Sequence, residues 1–480
     1  MSDNIKLSRR EFFKDTAIAG AAVAATGMLG VTPSAAQCIP EKWDYEADVL
    51  IVGAGVAGLW AAYATSKAGL KTLLVEKEPT FGGDSILATG VMWASTSKAM
   101  VAAGIPGTDP EVAYKTAYDA TFSKWRVPEL GRMRLVEAVD VMNLWTDLGA
   151  KWMPPVKGHI MQSAHIPAPA LGNMSNALTP LFDAVSKAGC EVMSRTKATN
   201  FVVDANNVAV GMRVQSVEDF KFKHIKAKRI LLATGTFICN QEMVARYMPK
   251  YANVAVQTHT GMGQGIEMAL PLGASLEKME EAPFMVSDTA VVVVWAYFDS
   301  MLHVTPVGKR FMNEMMLHEV GGKIVELGFA HWYAIFDDTL AKGYQAACVN
   351  EVMKTGIIQQ ADTIEDLAKK INVPADNLAA TYNRFNEVMA SGKDSDFGRR
   401  MYLRPLKPPL YAALLHPVRY KTTGGLRVNQ DGQLINASGA TIPNVYAAGN
   451  AIGSMTPNLT DALSLGYHIG KIFARDLKKV

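Results

Sequence analysis

The sequence predicts an α/β fold, a parallel sheet whose chain is interrupted by an inserted α+β segment. Three observations carry that expectation. Residues 47–52 (Ala-Asp-Val-Leu-Ile-Val) are an apolar run of strand length that leads directly into glycines, as in a strand buried on both faces. A helical, Ala-rich stretch from Val56 to Ala68 and a second apolar run from Thr72 to Val75 complete a βαβ unit. From about residue 258 the chain turns richer in Met and Glu with several helical segments, and β character returns only after about residue 404.

Taken in order, the chain begins with Ser8-Arg9-Arg10-Glu11-Phe12-Phe13-Lys14, a Gly- and Ala-rich apolar stretch from Ala17 to Val31, and the small residues Pro33-Ser34-Ala35-Ala36. The apolar stretch is short of the roughly 20 residues a membrane span needs. The pattern is that of a twin-arginine export signal over residues 1–36, with a cleavage site after it. The expectation is a periplasmic protein, exported folded, with no stable membrane span once the signal is removed. The composition sets off 258–404 as a separate inserted domain between 45–257 and 405–480.

Composition narrows the function. The 480 residues are 49% hydrophobic and 19% charged, as in an ordinary globular protein. A net charge of +3, with no basic run interleaved with aromatics, excludes a nucleic-acid footprint. Cys38, Cys190, Cys239 and Cys348 are scattered without haem, iron–sulfur or zinc spacing, so no metal site is expected and any second redox centre belongs on another protein.

Further elements follow. Thr199 to Arg213 reads as a meander of short strands, and residues 229–233 as a buried strand ending at Thr234-Gly235. A hairpin spans 428–434, a strand 444–447, and a closing helix Ala462 to Leu477. Ser438-Gly439-Ala440-Thr441 resembles the core of a signal for covalent FMN attachment to threonine, but Ile435 replaces the required Asp and the segment reads as a turn.

Gly53-Ala54-Gly55-Val56-Ala57-Gly58 lies between the first strand and its helix, and Glu76 ends the second strand. The spacing has a mechanism: Gly53 for the tight turn, Gly55 for approach to a pyrophosphate, Gly58 for packing of helix on strand, and Glu76 for the ribose hydroxyls. Val56 and Ala57 open the helix, whose N-terminus favours phosphate. This is a Rossmann-type dinucleotide site. A Gly82-Gly83 step downstream lets the backbone pass close to the second half of a long cofactor.

That stretch, Lys77 through Gly82-Gly83-Asp84-Ser85 and on to Ala88-Thr89-Gly90, resembles the fumarate reductase, flavocytochrome c and 3-ketosteroid dehydrogenase family of FAD flavoproteins. The likeness continues through Leu232-Ala233-Thr234-Gly235, Thr260 to Gly265, Gly308 to Glu314, Gly392-Lys393-Asp394, Thr423 to Leu426 and Ile442 to Gly449. It implies a Rossmann-type FAD-binding domain interrupted by an α+β capping domain, with the reaction where both meet the flavin. It adds Lys77, Ala198, Thr234, Gly235, Gln264 and Gly449 to the cofactor-binding positions, with Asn450 at the ribitol position. It also sets the backbone near Ser464 and Leu465 against the flavin pyrimidine edge. No histidine lies between residues 77 and 158, so FAD is expected to be non-covalent.

The family's dicarboxylate chemistry does not carry over. His318 stands where the proton-donating arginine is expected, and Tyr420 and Lys421 replace a histidine pair. The loop after Gly449 lacks the anchoring arginine. His318, with Glu319 beside it, is then a candidate proton donor, Lys421 an anchor for carboxylate or carbonyl, and Tyr420 a phenolic donor. Arg310 is expected to support its loop. The Met-rich cap, with Met279, Met285, Met312, Met315 and Met316, suits an adaptable pocket or a filled core. Two enzymes fit: a reductase of an activated C=C bond in an unsaturated carboxylate or enone, fed by a separate c-type cytochrome or quinol partner, and a dehydrogenase desaturating a ketone or steroid-like substrate. A non-catalytic electron-relay subunit is the third reading.

Overall fold

The structure, a computed structural model, describes residues 39–478 except 110, 113–127, 156–162, 282–283, 290–291, 293–294, 298, 318, 344–345 and 455–457. The expected export signal, Cys38 and His318 lie outside the described residues.

The expected βαβ unit is formed by β1 (Tyr45–Val52), α1 (Val56–Lys67) and β2 (Thr72–Val75). Helices α2 (Pro128–Asp147) and α3 (Met174–Lys187) follow, then β3 (Glu191–Met193), β4 (Thr196–Val203), β5 (Ala209–Ser216) and β6 (Phe222–Leu232). The cap contributes β7 (Phe284–Ser287), β8 (Leu302–Val304), β9 (Trp332–Asp337), β10 (Ile358–Ala361) and α4 (Ala375–Ala390). The chain continues with β11 (Leu410–Leu415), β12 (Pro417–Lys421), β13 (Gln433–Ile435), β14 (Thr441–Ala447) and α5 (Leu459–Lys478).

The main sheet runs β13-β14-β6-β1-β2-β3, with β5 on the first half of β6 and β4 on β5. β1 sits between parallel neighbours β2 and β6, and its Val49, Leu50 and Ile51 are fully buried, which is why the run shows no polar alternation. α5 crosses α1 so closely that a Cβ on Gly466 would lie 2.2 Å from Ala57 O. Nothing larger than glycine permits that crossing.

The cap sheet is antiparallel, in the order β8-β9-β11-β10. Successive β9 residues alternate between two cores: Trp332, Ala334 and Phe336 pack with Trp295, Phe311 and Met312, while Tyr333 and Ile335 pack with Leu367, Leu378 and Phe385. β11 departs from expectation. The boundary expected at 404/405 would place residues 410–415 in the first domain, whereas β11 lies inside the cap sheet, and β12 pairs with β7. Apolar strands look alike in sequence whichever sheet receives them. Ser438–Ala440 lies in a turn, as expected, and Thr441 opens β14: Asn436 Oδ1 accepts from the N–H groups of Ser438 and Ala440 at 3.0 Å each.

Arg310 supports the cap, as its place after a glycine turn implies. Its guanidinium donates to both oxygens of Glu314 (2.8 and 2.9 Å) and both of Asp394 (3.0 and 2.8 Å), and Arg399 Nη1 reaches Glu314 at 3.3 Å. Burial opposes the charge on Asp394, but Arg310 and the N–H groups of Arg399 and Phe397 outweigh it and hold the carboxyl at about 2. Two of the recurring motifs, 308–314 and 392–394, therefore meet in one neutral, buried four-charge cluster. Arg310→Met leaves the Asp394 carboxylate without its side-chain cation and Glu314 with Arg399 alone, so a loss of about 3–5 kcal/mol is expected, read as a lower unfolding midpoint with flavin content retained in the folded fraction.

Candidate active site

The parallel strands end at one level, because Val52 pairs with Val75 and Leu232, and Leu232 pairs with Ala447. The residues leaving those strands meet beyond the carboxyl ends, where open α/β sheets take ligands. Gly53, Glu76, Ala233 to Gly235 and Ala448 to Asn450 line a cleft there that opens to solvent.

Gly53 has φ +106°, and a Cβ on it would lie 2.4 Å from Ala233 O. A Cβ on Gly58 would lie 1.9 Å from Gly53 O, so Gly58 stands behind the cleft and lets α1 start against the turn. At Gly55 the nearest atom would be Ser85 Oγ, 3.6 Å away. Open space, Val56 and Ala57 on the wall, and a first turn without acidic residues give the N-terminus of α1 room for a pyrophosphate. Ser85 Oγ accepts from Val56 N–H at 3.1 Å.

Glu76 is held by two backbone amides: Ala54 N–H donates to Oε2 at 2.7 Å and Glu78 N–H to Oε1 at 2.9 Å. Each oxygen keeps a lone pair for a ribose hydroxyl. Gly82 N–H donates to Ala54 O at 2.9 Å, tying the double-glycine step to the first turn. Gly83, Asp84 and Ser85 line the cleft while Gly82 does not. Lys77 Nζ donates to Thr260 O at 2.8 Å, and Asp84 Oδ1 accepts from the hydroxyls of Thr258 and Thr260. Ala198 and Gln264 also line the cleft, and the buried Thr234 hydroxyl has no hydrogen-bond partner among the described residues. An orphaned donor on the wall, a helix N-terminus and a carboxylate at the end of β2 together fit an adenine dinucleotide.

Ser464 and Leu465 are not on the cleft wall. α5 begins at Leu459 rather than Ala462, because Asn458 Oδ1 accepts from Asp461 N–H at 2.9 Å in the manner of an N-cap. Ser464 and Leu465 therefore lie beyond the first turn and are fully buried, with Ser464 Oγ donating to Arg134 O at 3.2 Å. Asn458, Leu459 and Ala462 line the cleft instead.

Tyr420 and Lys421, at the end of β12, line the cleft with Asp84, Asn450 and the start of α5. Lys421 Nζ lies 5.4 Å from the centroid of the Tyr420 ring. Burial pushes the Lys421 ammonium down to about 8, against the opposing pull of the Asp461 and Asp84 carboxylates. Burial, reinforced by Asp84, pushes the Tyr420 phenol well above its ordinary value, so it stays a donor across the neutral range. Glu319 occupies the N-cap position of the helix Val320–Glu326. Met279 and Met312 are core residues, and the methionine on the cleft wall is Met268.

Sequence reasoning missed Asp461 and Arg134. Asp461 is buried and pairs with Arg134 Nη1 of α2 at 2.9 Å. The Asn458–Asp461 spacing is a legible cap signal, but nothing local ties it to a residue 327 positions earlier.

Residues 48–459 match the family described as FAD binding domain. The chain is 27% identical over 418 residues to a fumarate reductase (cytochrome) of Shewanella frigidimarina, covering 85% of this chain and 72% of that protein. It is 28% identical over 437 residues to a urocanate reductase of Eggerthella lenta, covering 86% and 71%. A 3-ketosteroid-Δ4-(5α)-dehydrogenase of Rhodococcus jostii RHA1 shares the fold with a TM-score of 0.73 at 22% identity, over 90% of this chain and 98% of that one. The chain belongs to the FAD binding domain family, and it is an FAD-dependent oxidoreductase acting on CH–CH or C=C groups.

Proposed function

We propose that the protein reduces an activated C=C bond in a substrate with one carboxylate or ketone, an unsaturated monocarboxylate or an enone, and that fumarate is not its substrate. One observation carries this reading: Lys421 is the cation beside Tyr420 and the start of α5, and the described cleft wall holds no arginine to fix a second carboxylate. A dinucleotide with its ribose at Glu76 and its pyrophosphate at α1 would extend past Asp84 toward Asn450 and Lys421, non-covalently, since the described wall also holds no histidine or cysteine.

Bound in this cleft, reduced flavin would supply the hydride. Lys421, a cation below about 8, binds the carboxylate or carbonyl oxygen and stabilises the negative charge that grows there. Tyr420 supplies the proton of the second carbon, and His318 is the other proposed donor. The pH dependence separates them: a histidine donor loses rate as pH rises through about 6.5, while the phenol does not. His318→Gln therefore leaves the rate and its profile unchanged if Tyr420 donates.

We place the protein in the periplasm, on the strength of the twin-arginine pattern, with electrons arriving from a separate c-type cytochrome or quinol-linked carrier. No helix among the described residues is long and apolar enough to cross a membrane. The test is oxidation of reduced methyl viologen by the purified flavoprotein with a panel of unsaturated monocarboxylates, dicarboxylates and enones. Turnover with monocarboxylates or enones is expected. Turnover confined to dicarboxylates overturns the reading.

A further inference from the structure

The strand that carries Lys421 holds one residue more than its ladder needs. Lys421 pairs with Phe284 and Arg419 with Met285, so Tyr420 is an added residue in β12 opposite β7. Such a bulge suspends the alternation of side chains, and both Tyr420 and Lys421 line the cleft. The chain is anchored on either side of the bulge. Arg419 N–H donates to Ala255 O at 2.7 Å, and Gln257 N–H donates to Arg419 O at 3.0 Å. Gly424 packs so tightly on the backbone of Lys278 that a Cβ on it would lie 2.4 Å from Lys278 O.

Between these anchors a side chain serves where a strand partner would. Thr236 Oγ1 accepts from Thr422 N–H, the amide that follows Lys421, at 3.0 Å. It also accepts from Ile238 N–H at 3.0 Å and lies 2.9 Å from Thr422 Oγ1. A hydroxyl has two lone pairs and one proton, so the two amides occupy the lone pairs and the proton goes to Thr422 Oγ1. Thr236 is fully buried and its rotamer is held: a Cβ on Gly261 would lie 2.8 Å from its methyl, and its carbonyl accepts from Gly263 N–H at 3.1 Å. Thr236 directly follows Thr234 and Gly235, which line the cleft beyond β6. We infer that Thr236 is a positioning residue, whose hydroxyl holds the amide after Lys421 and so directs the lysine into the cleft from the turn that follows β6. The inference rests on the reading of Lys421 as the substrate's anchor.

Thr236→Val keeps the methyl against Gly261 but puts carbon where the oxygen was, which leaves two buried amides without that acceptor and lets the bulged residues shift. The test uses the oxidised holoprotein and 3-phenylpropanoate, a saturated monocarboxylate that cannot be reduced, with binding read from the perturbed flavin absorbance. In flavin-loaded Thr236→Val the affinity is expected to fall about 10–100-fold, the scale of a misplaced anchoring group. Thr236→Ser, which keeps the hydroxyl, is expected to stay within about threefold of wild type. In a Lys421→Met background Thr236→Val is expected to add no further loss, because the hydroxyl acts through the lysine. Unchanged affinity in Thr236→Val overturns the inference, and so does an equal loss with and without Lys421. Where Thr236→Val fails to hold flavin, Thr236→Ser decides: an affinity as poor as that of Lys421→Met overturns the inference. The anchor reading fails by a different pattern, no binding by the wild type or unchanged binding in Lys421→Met, and the inference then falls with it.

Discussion

Gly58→Ala weakens flavin binding severely. The added Cβ would stand 1.9 Å from Gly53 O and 3.1 Å from its carbonyl carbon, and these are backbone atoms that cannot rotate away. α1 would have to lift from the end of β1, taking with it the N–H groups and the dipole that face the pyrophosphate. Gly53 has little room to absorb the strain, because its N–H is held by Val75 O at 2.9 Å and Ala233 O fills the space where a Cβ on it would stand. A weakening of flavin affinity by a factor of 100 or more is expected, about 3 kcal/mol, together with a lower melting temperature. Flavin absorbance per protein after gel filtration measures it.

Lys421→Met keeps the flavin and loses the reaction. The methionine fills the same buried space beside Tyr420 but cannot hold an oxyanion. Reoxidation of reduced flavin by an unsaturated monocarboxylate or enone is expected to slow by about 10²–10³-fold, the usual loss when a preorganised donor to developing charge is removed. In the wild type the rate falls as pH rises through about 8, since the lysine then loses its proton, and in Lys421→Met that dependence disappears.

Much of this site is legible in sequence because it is local. Gly53 to Gly58, Glu76 and the double-glycine step meet through one βαβ unit, and the parallel register carries Thr234-Gly235 and Gly449-Asn450 to the same level. Lys421 and Tyr420 fall on the cleft wall because the motif after them places β12 there. What was not legible is tertiary. β11 reads as an apolar strand in either sheet, and only its pairing with β9 and β10 puts it in the cap. Ser464 and Leu465 were displaced from the wall by a cap at Asn458 that starts α5 earlier than the apolar pattern indicates. The Arg134–Asp461 pair joins two helices 327 positions apart, and no periodicity announces it.

The most direct measurement is anaerobic stopped-flow absorbance of the reduced flavoprotein mixed with fumarate, with aryl acrylates and with enones. Rapid return of oxidised flavin with acrylates or enones and none with fumarate is the expected result. Rapid return with fumarate, or silence with every unsaturated compound while a saturated ketone bleaches the oxidised flavin, contradicts it.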